Sequence, residues 1–109
     1  MMIPKLKEEF DREMIRLYEL AKSECNYNAS YFLRMIRNRG GVETARHLVL
    51  YSGLAKGLIA MARCGRLDLT VEALVLREPW KKLFAKEVIS IAEIKLRTLQ
   101  KLCYHFPMD

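Results

Sequence analysis

Apolar residues along this chain recur at three- and four-residue steps almost throughout, and no run shows sustained strand-like alternation. The first stripe is Ile3, Leu6, Phe10, Met14, Leu17 and Ala21, with Tyr18 beside it. These steps keep the residues on one face of a helix that opens near Pro4 and closes near Glu24 or Cys25. Lys7, Glu8, Asp11, Arg12, Arg16 and Glu19 fall on the other, solvated face.

Asn26 to Asn28 read as a turn, and Asn28 is the expected N-cap of a second helix, "ASYFLRMIRNR". Phe32, Leu33, Met35 and Ile36 face inward there, while Ser30, Arg34, Arg37 and Asn38 face outward. Gly40-Gly41 stop that helix, one of them in a left-handed C′ conformation. A third helix, "VETARHLVLYS", turns Val42, Ala45, Leu48 and Val49 inward and ends or kinks at Gly53. A fourth, "LAKGLIAMARC", buries Leu54, Leu58, Met61 and Ala62 and stops at Gly65. Thr70 is placed to N-cap a short fifth, "VEALVL". Pro79 then opens a turn of helix with Trp80, Leu83 and Phe84. The last helix, from about Lys86 to Tyr104, carries Val88, Ile91, Ala92, Leu99 and Leu102 on its core face and ends before Pro107. The expected fold is all-α: a single-domain irregular or orthogonal bundle of five to six helices over residues 1–109, with its core between about 4 and 104.

The stretch "GRLDLTVEALVLREPW" has roughly the spacing of a helix-turn-helix, with Met61, Gly65, Val71 and Leu74 at the packing positions. A recognition helix must show polar side chains to base edges. This one would offer Val71, Glu72, Ala73, Leu74, Val75 and Leu76, with no Arg, Asn or Gln. Leaving those apolar residues in water would forfeit roughly 1.5–3 kcal/mol each. The segment is core.

With 109 residues, 51% hydrophobic and 29% charged, the chain has the balance of one globular domain. No apolar run reaches the length of a membrane span, and the N-terminus has no secretory h-region. Cys25, Cys64 and Cys103 are an odd number without CxxC spacing, which points to reduced thiols in a cytoplasm. The net charge of +6 is unevenly spread. Residues 1–24 carry net −1 and residues 67–109 net +1, so the excess lies in residues 25–66. There Arg34, Arg37, Arg39, Arg46, Lys56, Arg63 and Arg66 stand against Glu43 alone.

Six of those seven cations are arginine, whose planar fork pairs bidentately with phosphate. Tyr27 and Tyr31 lie near Arg34 and Arg37, and aromatic rings beside arginines suit single-stranded nucleic acid, whose bases can stack. Arg34, Arg37, Arg39, Arg46, Arg63, Arg66 and Tyr31 are therefore the candidate residues for nucleic-acid or anion binding. The competing reading is a solvated face, with Arg37 and Arg39 complementing the helix dipole and Arg46 pairing with Glu43. His47 also stands where it could meet a phosphate.

His47, Cys64, Cys103 and His105 lack the spacing of a zinc site, so no metal is expected. Gly40-Gly41 lacks the strand and the GK[ST] of a phosphate loop, and Asp68 is expected to cap a turn. Nothing assembles a nucleophile with a base or a pair of carboxylates, so neither catalysis nor a cofactor is expected.

At "YNASYFLRMIRNRGGVETARHLV" followed by "GLIAMARCGRLDLTVEALVLREPWKKLF", the chain resembles a group of small bacterial helical proteins without an assigned activity. The resemblance runs from about Phe10 to Arg97 and is carried chiefly by GGVETA and GRLDLTVEALVL. Ala85 stands where that pattern has a Ser or Thr cap. The resemblance implies the fold boundaries and brings no activity with it; an association of such proteins with DNA-modifying or defence genes carries little weight for function. The function expected is a cytoplasmic nucleic-acid-binding module working mainly through phosphate contact. The alternative is a protein-interaction module, an accessory subunit or phage- or defence-related inhibitor, set against an acidic protein partner. The apolar stripe of the first helix leaves homo-oligomer formation open.

Overall fold

The structure is a computed structural model, and it describes residues 2–103. The expected boundary at Tyr104, the stop at Pro107 and the tail residues His105, Phe106 and Met108 lie outside the described residues.

Six α-helices follow in order: α1 Met2–Cys25, α2 Ser30–Arg39, α3 Gly41–Tyr51, α4 Lys56–Arg63, α5 Val71–Val75 and α6 Lys86–Cys103. Single 3-10 turns at Leu67–Leu69 and Trp80–Leu83 flank α5, and the described residues contain no strand. None of these helices is long and apolar enough to cross a membrane. The fold is an all-α bundle in which α3 packs on α1, α2, α5 and α6, and α6 also covers α4 and α5.

The main core joins Phe10, Met14, Leu17 and Ala21 of α1 to Ile36, Ala45, Val49, Met61, Leu74, Val75, Val88 and Ala92. Phe10 is fully buried and anchors one end, edge-on to Phe84 at 5.4 Å and tilted against Trp80 at 5.8 Å. Leu58, Ala62 and Leu99 make a second, smaller cluster where α4 meets α6. The "LDLTVEALV" segment is core, as its apolar content requires. Leu69, Val71, Leu74 and Val75 are buried, and Thr70 caps α5 by accepting a hydrogen bond from the Ala73 N–H at 3.1 Å.

Three stripes are shorter than the periodicity predicts. Ile3 is 61% exposed, because the 24-residue α1, about 36 Å long at 1.5 Å per residue, overhangs the core. Leu102 is also exposed, at the far end of α6. Leu54 is exposed because α4 starts only at Lys56. Asn28 does not cap α2. Its Oδ1 instead accepts from the Tyr18 hydroxyl at 3.0 Å, and Ala29 takes the N-cap position without a side-chain bond.

The α2–α3 junction depends on two glycines in different ways. Gly40 has φ +84° and ψ 164°, an extended positive-φ conformation essentially restricted to glycine rather than the compact left-handed one expected. In that conformation its N–H still donates to Ile36 O at 2.8 Å and its C=O accepts from Thr44 N–H at 3.1 Å, so one residue closes α2 and opens α3. Gly41 is needed for closeness. Its N–H donates to Asp11 Oδ1 at 2.6 Å, and a Cβ there would meet that oxygen at 2.6 Å and the Phe10 ring at 3.1 Å. Asp11, on the solvated face by periodicity, thus caps α3 from another helix, where a carboxylate also suits the dipole.

Cys25 and Cys64 are not free thiols: they form a disulfide between the end of α1 and the C-cap of α4, with Cα atoms 5.9 Å apart. The spacing rules missed it because residues 39 apart meet only once α4 folds back along α1. The cysteines therefore give no support to a reducing compartment.

Two outcomes follow for stability. Cys25→Ser/Cys64→Ser, or reduction by dithiothreitol, should lower the unfolding free energy by about 4 kcal/mol, the loop-closure value for a loop of this length, read from urea midpoints. Gly41→Ala should cost roughly 1–3 kcal/mol through overpacking. Asp11→Ala should add little to it, because both changes remove the same cap.

Candidate functional site

The predicted arginines do not share one environment. On α2, Tyr31 is 67% exposed and the Arg34 guanidinium lies over its ring, 5.7 Å from the centroid. Arg37 stands one turn further along, and Arg39 ends the helix; both are exposed. Among the described residues, no carboxylate forms an ion pair with Arg34, Arg37 or Arg39. This surface needs only helical spacing, since Tyr31, Arg34 and Arg37 recur every three residues.

Elsewhere the positive charge is answered within the fold. Arg46 lies 3.8 Å from Glu43 one turn before it, with both side chains largely exposed. Arg66 donates from Nε and Nη2 to both Asp68 oxygens at 2.9 Å and from Nη1 to Glu24 Oε1. Those bonds, Asp68 first and Glu24 second, hold the guanidinium pKa above its usual range, and the same bond from Arg66 holds Asp68 below the usual carboxylate range. Asp68 therefore binds a side chain rather than capping the turn, and Arg66 clamps the 3-10 turn to the end of α1. Arg63 is exposed at the end of α4, and His47 stacks obliquely on Tyr51 at 5.6 Å.

A second feature lies behind the α2 face. A cavity of about 260 Å³ opens between α1, α2, α4 and the start of α5. Tyr18, Tyr27, Phe32 and Met35 wall it, and the exposed Tyr31 and Lys56 carry it to the surface. Glu72 also lines it. That side chain is 7% exposed, and its Oε2 faces the Lys95 ammonium at 3.5 Å, itself 9% exposed. Lys95 Nζ further donates to Leu48 O at 3.0 Å, so one ammonium joins α6 to α5 and α3. Burial pushes the Glu72 carboxyl above its ordinary pKa, and Lys95 offsets only part of that.

Reading residues singly misses this pair, although a signal for it exists. Val88, Ala92, Lys95 and Leu99 form one continuous stripe on α6, so a lysine occupies a core position. Glu72 is the lone charge of "VEALVL". A buried cation requires a buried anion, and these two are the candidates left without solvent.

Among the described residues no group of three or more His, Cys, Asp or Glu stands where it could hold a metal ion.

Removing one member of the buried pair should cost far more than removing both. Lys95→Met leaves an uncompensated carboxylate and should lose roughly 3–5 kcal/mol, whereas Glu72→Leu/Lys95→Met should equal or exceed the parent. The parent should also show a pH signature. Because the folded pKa of Glu72 lies above the ordinary 4.5, the stability of its protonated form is fully present below that pH and is lost as pH rises through the raised value. Urea midpoints from about pH 4 to about pH 8 should show that loss relative to the double variant, in which it is absent.

The chain matches no protein-family model, no curated protein and no solved structure.

Proposed function

We propose that the protein is a binding module for single-stranded or flexible nucleic acid, held mainly through phosphates by Arg34, Arg37 and Arg39, with Tyr31 as a stacking platform. The observation that carries this reading is the arrangement on α2. An exposed tyrosine lies under an arginine, and two more arginines follow with no carboxylate to neutralise them. An exposed ring of this kind offers a base a face to stack on, and arginine adds cation–π attraction at the same place. Arg46 lies beside Glu43, and Arg66 serves the fold through Glu24 and Asp68, so the α2 arginines carry the reading. A module of this kind binds and releases its strand without chemistry and needs no cofactor. In a cytoplasmic setting thiol reductants would act on the Cys25–Cys64 bond, so the reduced protein belongs in the same assays.

Fluorescence anisotropy with labelled single-stranded DNA, duplex DNA and RNA at two salt concentrations tests the reading. Single strands should bind best. Each neutralised phosphate contributes about −0.7 to the slope of log K on log salt, so three arginines should give about −2. Arg34→Ala/Arg37→Ala should flatten the slope to about −0.7. Tyr31→Ala should weaken single-strand binding about tenfold, within the range for one lost base stack, and leave the slope unchanged. No binding to any of the three at low salt would overturn the proposal and redirect it to an acidic protein surface.

A further inference from the structure

The cavity behind α2 has a composition that the arginine surface does not explain. Its walls are aromatic and aliphatic, and its volume of about 260 Å³ is below that of sites for drug-sized ligands. Such a space admits a small molecule, on the order of ten non-hydrogen atoms. Tyrosine and phenylalanine rings on several sides favour an aromatic guest, which they can meet edge-to-face or offset.

Charge narrows the class further. Glu72 is the ionisable group in the buried part of the cavity, and Lys95 already balances it. A cationic guest would bring a second positive charge into an apolar space against one carboxylate, and an anionic guest would face that carboxylate directly. A neutral guest avoids both costs. An ionised carboxylate has about four lone-pair positions, and among described side chains only Lys95 donates to this one, at 3.5 Å. It therefore retains capacity for a donor from the cavity side. The Tyr18 hydroxyl proton is already directed to Asn28, so it does not compete with the guest for the Glu72 carboxylate.

We propose that this cavity binds a neutral, mono- or bicyclic aromatic molecule whose single O–H or N–H group donates a hydrogen bond to Glu72. Entry runs past Tyr31 and Lys56, which line the cavity and are exposed. Gly57 sits on the wall opposite Tyr27: a Cβ there would lie 3.6 Å from the tyrosine ring, in ordinary contact, and a longer side chain would extend into the space.

Three bicyclic probes separate the contributions: indole, its donor-free analogue benzothiophene, and the cation tryptamine. Each is titrated into the full chain labelled with ¹³C at the methionine methyls, since Met35 and Met61 line the cavity. Indole should shift those two methyls saturably and bind about tenfold more tightly than benzothiophene, the worth of one charge-assisted hydrogen bond. Tryptamine should bind more weakly than indole. Gly57→Leu should abolish the shifts. Glu72→Leu/Lys95→Met should still bind but with no preference for indole over benzothiophene. Absence of saturable shifts at Met35 and Met61 in the unmodified protein would overturn the cavity as a site. Equal affinity for indole and benzothiophene, or a preference surviving in the double variant, would overturn the role of Glu72. The comparison of probes on the unmodified chain stands even if a variant fails to fold.

Discussion

The burial of α5 is the constraint on which the remaining structure depends. Five residues cannot hold a helix in water, because nucleation costs more than so few hydrogen bonds return. α5 persists because Val71, Leu74 and Val75 are enclosed by α3 and α6 and because Thr70 closes its N-terminus. That enclosure takes Glu72 out of solvent with its neighbours. An isolated carboxylate in such a place would be severely destabilising, so the fold supplies Lys95 from α6, and Lys95 in turn uses Leu48 O of α3. One short apolar segment thereby dictates where three helices must meet.

Other junctions of the bundle are held by different means. The Cys25–Cys64 bond and the Arg66 clamp both fasten the end of α1 to the region after α4. Asp11 and Gly41 fasten the middle of α1 to the start of α3. These connections use much of the acidic side-chain complement near the basic third of the chain. Asp68 and Glu24 serve Arg66, and Glu43 lies beside Arg46. The arginines of α2 keep their charge uncompensated as a result. Tyr31 borders both that charged face and the apolar cavity, so a change in its position bears on both.

Much of the architecture was legible in the amino-acid order. Three- and four-residue apolar steps locate every helix to within a few residues, Thr70 announces the α5 cap, and the Val and Leu content of "VEALVL" places it inside. The charged surface of α2 was legible too, because neighbours on a helix face are separated by fixed short intervals. Each of these features is local, and periodicity plus the cost of exposing apolar area suffices to read it. What stayed hidden depends on residues distant in sequence. Asp11 caps a helix thirty positions away, Cys25 finds Cys64, Lys95 reaches Glu72 across twenty-three, and Arg66 meets Glu24. The cavity is likewise assembled from α1, α2, α4 and α5. The sequence by itself determined the elements and their buried faces; tertiary packing alone decided which charges are neutralised, which thiols meet and where a space remains, because those outcomes depend on how the helices are brought together.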